Sequence, residues 1–135
     1  MRKPKVVRGE ELEWEPSIEP PLQSKKGINV KTVENPRVQM HRVTVPPGAR
    51  NQRHYHLQSD AGMFLLKGHL KIFFGPDHEM EETLAREGDF VFVPAGVIHG
   101  FMNASETEAA ELVTTKNHVS NVKGETIFME PPWVK

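Results

Sequence analysis

The chain contains no cysteine, which excludes a disulfide framework and any thiolate metal ligand. No apolar run approaches the roughly 20 residues that a membrane-spanning helix requires. Net charge is almost absent: 17 basic residues stand against 18 acidic ones, so no electrostatic footprint argues for nucleic acid or an anionic membrane surface. The N-terminal residues run from basic into acidic side chains without an apolar segment, and do not read as a secretory signal. Internal repeats and low-complexity runs are also missing. These absences leave the expectation of a soluble, cytoplasmic protein, and 135 residues suffice for one domain with a real core.

Short β-branched and aromatic runs separated by turn residues dominate what is present. Residues 38–45 alternate apolar with polar and predict a strand, which Pro46, Pro47 and Gly48 end in a turn. His41 and Arg42 fall on opposite faces of that strand, and the pattern does not decide which points inward. Residues 62–67 and 70–74 read as strands of a hairpin joined through Gly68 and His69. Residues 79–86 suit a helix in composition and a short strand equally. The continuous apolar run at 90–93 predicts a buried strand, and residues 108–115 the last strand of the core.

Residues 1–37 are polar and interrupted at Pro16, Pro20, Pro21 and Pro36, which excludes long helices and central strands. This arm either wraps its own core or crosses to a second subunit, with short edge strands near Val6 or between Ile28 and Val30. The expected layout is a single all-β domain over 1–135: a core of about 38–115, the arm 1–37, and a tail 116–135 that Trp133 anchors by packing on its outside.

His54 and His56 stand two residues apart in a predicted strand, so both project to one face while Tyr55 projects to the other. Two imidazoles on one rigid face make two-thirds of a metal site if a third ligand arrives from elsewhere. His99, behind the Pro94-Ala-Gly96 turn that follows an apolar strand, is the candidate third.

These residues lie in two patterned stretches. Gly88, Pro94, Gly96, His99 and Asn103 resemble the second motif of the cupin superfamily at every fixed position, and Gly48, His54, His56 and Gly68 resemble the first. The first motif's glutamate is missing, with Ala61 at its place. A shorter spacing reaches Asp60 instead; strand alternation admits only one of the two inward, and the distance to Gly68 favours Ala61. The resemblance implies a jelly-roll β-barrel with His54, His56 and His99 holding a divalent metal that keeps an open position. It also implies an arm that covers a partner's sheet edge, hence a homodimer.

Without the glutamate, three neutral imidazoles would leave the ion its full charge. That makes it a stronger Lewis acid and weakens the case for manganese, while imidazole suits iron, zinc, nickel and copper. Continuing the same parity, Met63 lies inward with Ala61, and Phe101 and Asn103 join His99, giving a mostly apolar substrate pocket. Leu65, on that face too, reads as core filling. Gln52 shares the face of His54 and is the candidate catalytic residue, hydrogen-bonding a bound oxygen. His41, His69, His78 and His118 fall outside the motifs and read as ordinary polar residues.

The ligand set resembles that of non-haem iron dioxygenases acting on β-diketones, gentisate-like aromatics or thiols. The expected function is therefore an Fe(II)-dependent dioxygenase for a small diketone-like or phenolic substrate, with neither nucleic acid nor membrane as partner. A zinc-type hydrolase, lyase or isomerase, and a non-catalytic small-molecule-binding cupin, are the rival readings.

Overall fold

The computed structural model describes residues 2–117 and 125–133; His118, part of the tail, and Met1 lie outside the described residues. Eleven strands are present among them: β1 Glu15–Pro16, β2 Gln23–Ile28, β3 Gln39–Val45, β4 His54–His56, β5 Ala61–Lys67, β6 His69–Phe74, β7 Glu81–Arg86, β8 Phe90–Val93, β9 His99–Asn103, β10 Ala110–Lys116 and β11 Thr126–Phe128. They form a six-stranded sheet in the order β1-β2-β3-β10-β5-β8 and a five-stranded sheet in the order β11-β4-β9-β6-β7. The pairings are antiparallel. This is the all-β jelly-roll layout, although the two sheets keep separate edges and do not close into a barrel. Among the described residues no helix is long and apolar enough to cross a membrane.

Period-two alternation organises the inner face of the larger sheet, and its rows change character along the strands. Val45 faces Ala110, and the next row sets Ser24, Val43, Leu112 and Leu65 side by side. Beyond it come Lys26, His41, Thr114, Met63 and Val91, and then Gln39, Lys116, Ala61 and Val93. The first rows, with Leu70, Ile72 and Phe101 from the smaller sheet, make the closed hydrophobic core. A fully buried leucine such as Leu112 contributes about 1.5–3 kcal/mol. The later rows mix polar residues with Met63, Val91, Ala61 and Val93, and they face the histidine-bearing strands β4 and β9 across a cavity. His41 therefore points inward and Arg42 outward, where its guanidinium meets Glu111 at 2.8 Å.

Several expectations need correction. β5 and β6 do not form a hairpin: β5 pairs with β10 and β8, whereas β6 pairs with β7 and β9. Gly68, at φ 90°, turns the chain from one sheet into the other, and a Cβ there would stand 3.0 Å from that of Ala110. The run 90–93 is a strand but not a buried one, since Phe90 is 82% exposed and Phe92 68%. β8 is an edge strand whose inward residues are Val91 and Val93; the outward Phe90 stacks on Phe64 with ring centroids 4.7 Å apart. Of the two readings open for residues 79–86, residues 81–86 take the strand.

The arm wraps its own chain. β2 pairs along β3, and Leu22 is buried in the core, so the arm covers an edge of its own sheet. Residues around Val6 and Val7 form no strand. Lys116, expected to open the tail, is the last residue of β10, while Trp133 packs against the core.

Candidate metal centre

The smaller sheet positions the three histidines. His54 and His56 project from the same face of β4, and β9 pairs with β4 so that His99 stands opposite His54. The turn that sets the register of His99 depends on Gly96, whose φ of 82° is accessible at no steric cost only to glycine. All three imidazoles are buried, and their ring centroids lie 4.4–5.4 Å apart. One ligand nitrogen from each falls within 4.8 Å of the others.

Backbone acceptors fix which nitrogen is offered. His54 Nδ1 lies 2.7 Å from the carbonyl of Gln52, and His99 Nδ1 lies 2.9 Å from that of Val97. A carbonyl only accepts, so both Nδ1 atoms carry the proton and both Nε2 atoms remain for coordination. His56 Nδ1 is held 3.2 Å from the Thr126 hydroxyl. Burial pushes His56 down to about 3 and His99 down to about 4, with nearby positive charge adding to the effect, so both are neutral imidazoles at physiological pH. Three buried, anchored nitrogens with the reach of one ion fit a divalent metal.

His54 behaves differently because of a residue that the sequence reading passed over. Glu19, on the arm, sets Oε1 3.0 Å from His54 Nε2, and its Oε2 accepts a 3.2 Å hydrogen bond from Asn51 Nδ2. Burial opposes charge on both partners, but their mutual attraction and hydrogen bonding outweigh it: Glu19 is held below the usual carboxylate range and His54 above the usual imidazole range. Without an ion, the two form a buried ion pair. A metal would displace the proton on His54 Nε2 and find a carboxylate beside it. The site is thus not carboxylate-free. The arm brings a carboxylate to the triad that the first motif lacks.

The other expected residues divide. Ala61, Met63 and Phe101 line the cavity with the histidines. Asp60 does not: it is exposed and its Oδ1 accepts from the backbone N–H of Ala95 at 2.9 Å, bracing the turn before His99. Asn103 is buried away from the cavity, donating to the carbonyls of Val45, Pro46 and Glu108. Its role is to tie loops together. Gln52 is corrected too, because its side-chain amide donates to the Glu130 carbonyl at 2.8 Å and only its main-chain carbonyl serves the site. The cavity, of about 280 Å³, carries polar groups on an otherwise mostly apolar wall: Lys26, Lys116, His41 and Gln39 line it together with Ala61, Met63 and Phe101. The parity that placed Met63 inward, applied to Leu112 and Val43, would have found Lys116 and His41. No spacing rule leads to Glu19.

Comparison with known proteins agrees with this geometry. The family model described as a cupin domain matches residues 41–115. An uncharacterized protein of Aquifex aeolicus (strain VF5) is 36% identical over 53 residues, which is 39% of this chain and 40% of that protein. Among solved structures, the polyketide cyclase RemF from Streptomyces resistomycificus has a TM-score of 0.75 at 16% identity, over 96% of this chain and 87% of that one. KdgF from Halomonas sp. gives 0.69 at 18% identity, over 88% and 98%. An oxalate oxidase gives 0.66 at 21% identity, over 84% of this chain and 61% of that one. Such low identities establish the fold alone.

Proposed function

The chain belongs to the cupin family, and we propose that it is a metal-dependent enzyme in which His54, His56 and His99 hold one divalent ion, with the Glu19 carboxylate beside His54. Fe(II) is the favoured ion. The favoured reaction is dioxygenation of a small diketone-like or phenolic compound that offers two oxygens to the ion. The observation that carries the reading is the convergence of three anchored, buried imidazoles on a cavity large enough for such a molecule. A redox-active ion held there supplies Lewis acidity and the electron transfers that dioxygenation requires.

The chain's own contribution is positional. The carbonyls of Gln52 and Val97 fix ring orientation, so the donor set is organised before an ion arrives. Phe101 and Met63 keep the inner wall dry, which strengthens every electrostatic contact made there. Glu19 reduces the net charge of the occupied centre by one, which restores oxygen-preferring ions such as manganese as alternatives.

A second reading rests on Glu19 itself. A buried carboxylate braced by Asn51 at the edge of a substrate cavity has the placement of a general base, and suits a lyase or isomerase that uses zinc without oxygen. Elemental analysis of protein purified under reducing conditions, with oxygen uptake measured on adding acetylacetone or catechol, separates the two. Iron with uptake supports the first; tightly held zinc without uptake supports the second. Failure to bind any divalent ion overturns both.

A further inference from the structure

The wall of the cavity away from the histidines carries its own chemistry. Lys116 is buried and is flanked across the sheet by Gln39 and Ala61. His41 lies one row away, and its Nε2 is buried without a hydrogen-bond partner. The hydroxyl of Ser24, on the cavity wall, is also buried and unpartnered. Lys26 stands beside His41 and is held by Glu15 at 2.7 Å. A buried polar atom left unmatched loses its hydrogen bonds to water without replacement, and a buried ammonium loses more. Two such groups, on His41 and Ser24, open with the buried Lys116 ammonium on one cavity and describe a place that a ligand completes.

We propose that Lys116, His41 and Ser24 form an anion subsite that receives a carboxylate of the substrate, while oxygens at its other end meet the metal centre. The proposal rests on the reading of the histidines as a metal site and adds the substrate class: a small carboxylic acid with oxygen donors distal to the carboxylate. The charge count selects a carboxylate. Lys26 is matched by Glu15, and burial and the neighbouring lysines push His41 down to about 4, so it is a neutral donor. The single ammonium of Lys116, with two neutral donors beside it, matches one carboxylate group better than a phosphate that concentrates two charges on one group. Burial opposes the charge on Lys116, and the carboxylates of Glu125 and Glu19 act electrostatically to keep it.

Calorimetric titration with malonate, with the neutral malonamide and with inorganic phosphate tests this on metal-loaded and metal-stripped protein. Lys116→Met should weaken malonate binding at least tenfold in both forms, leave malonamide binding unchanged, and leave metal stoichiometry at the wild-type value. Exchanging a buried charge for an apolar isostere is commonly tolerated; Lys116→Gln, which keeps a donor and removes the charge, should give the same loss. If both variants bind malonate as wild type does, or malonamide weakens equally, there is no anion subsite even if the metal centre stands. If no metal binds yet malonate affinity still depends on Lys116, the metal reading falls and the subsite survives. Phosphate binding tighter than malonate contradicts the carboxylate assignment.

Discussion

Replacing Glu19 by glutamine probes the feature that most changes the chemistry of the centre. The substitution keeps size and hydrogen-bonding capacity and removes the charge beside His54 Nε2. In the ion-free protein the buried pair loses one member, and His54 can respond by releasing its proton, so the fold survives. In the occupied protein an oxygen donor, or a charged partner of the donor set, is gone. Loss of such groups typically costs 10–100-fold in metal affinity, or about 1.4–2.8 kcal/mol. Competition against a fluorescent chelator measures that constant directly, with Glu82→Gln, on the exposed strand β7, as the control. A metal affinity for Glu19→Gln within twofold of wild type would mean that Glu19 is only an apo-state partner of His54.

Four further outcomes are expected. Ala61→Glu sets a carboxylate on the cavity wall across from Lys116, and should raise manganese affinity while lowering any oxygenase turnover, as read by metal titration and oxygen uptake. His54→Ala, His56→Ala and His99→Ala should each abolish stoichiometric metal by elemental analysis and keep the wild-type far-ultraviolet circular dichroism. Leu22→Ala should destabilise by about 2–5 kcal/mol in urea unfolding, since the arm is part of the core; this also makes truncation of residues 1–25 a folding defect, not a clean test of association. We propose that the chain pairs as a homodimer through β8, the edge strand exposing Phe90 and Phe92, so that Phe90→Ser with Phe92→Ser should shift sedimentation from dimer to monomer. A monomeric wild type at micromolar concentration would remove that idea.

The residues that sequence located well are those whose placement is local. Alternation puts His54 and His56 on one face, and with the distance to Gly68 it sets Ala61, not Asp60, on the cavity side. Motif spacing brings His99 to them. What escaped depends on long-range packing. Gly68 reads as a hairpin turn because local signals do not reveal which sheet the next strand joins. Phe90 and Phe92 read as buried because hydrophobicity cannot distinguish an edge strand's outer face from its inner one. Glu19 lies 35 residues before His54 in a segment with no periodicity, and only the folded arm brings its carboxylate to the imidazole. The parity already in use reaches Lys116 and His41, but Lys116 falls one residue past the expected end of its strand and His41 reads as an ordinary polar residue.

The central claim is that His54, His56 and His99 hold one divalent ion. X-ray absorption at the edge of the metal found in the purified protein tests it most directly. The account predicts one ion per chain with outer-shell scattering from three imidazoles at a nitrogen distance of about 2.0–2.1 Å for zinc, and loss of one imidazole's contribution in any surviving histidine variant. An ion surrounded by oxygen scatterers with no imidazole signature, in protein that keeps its fold, would contradict it.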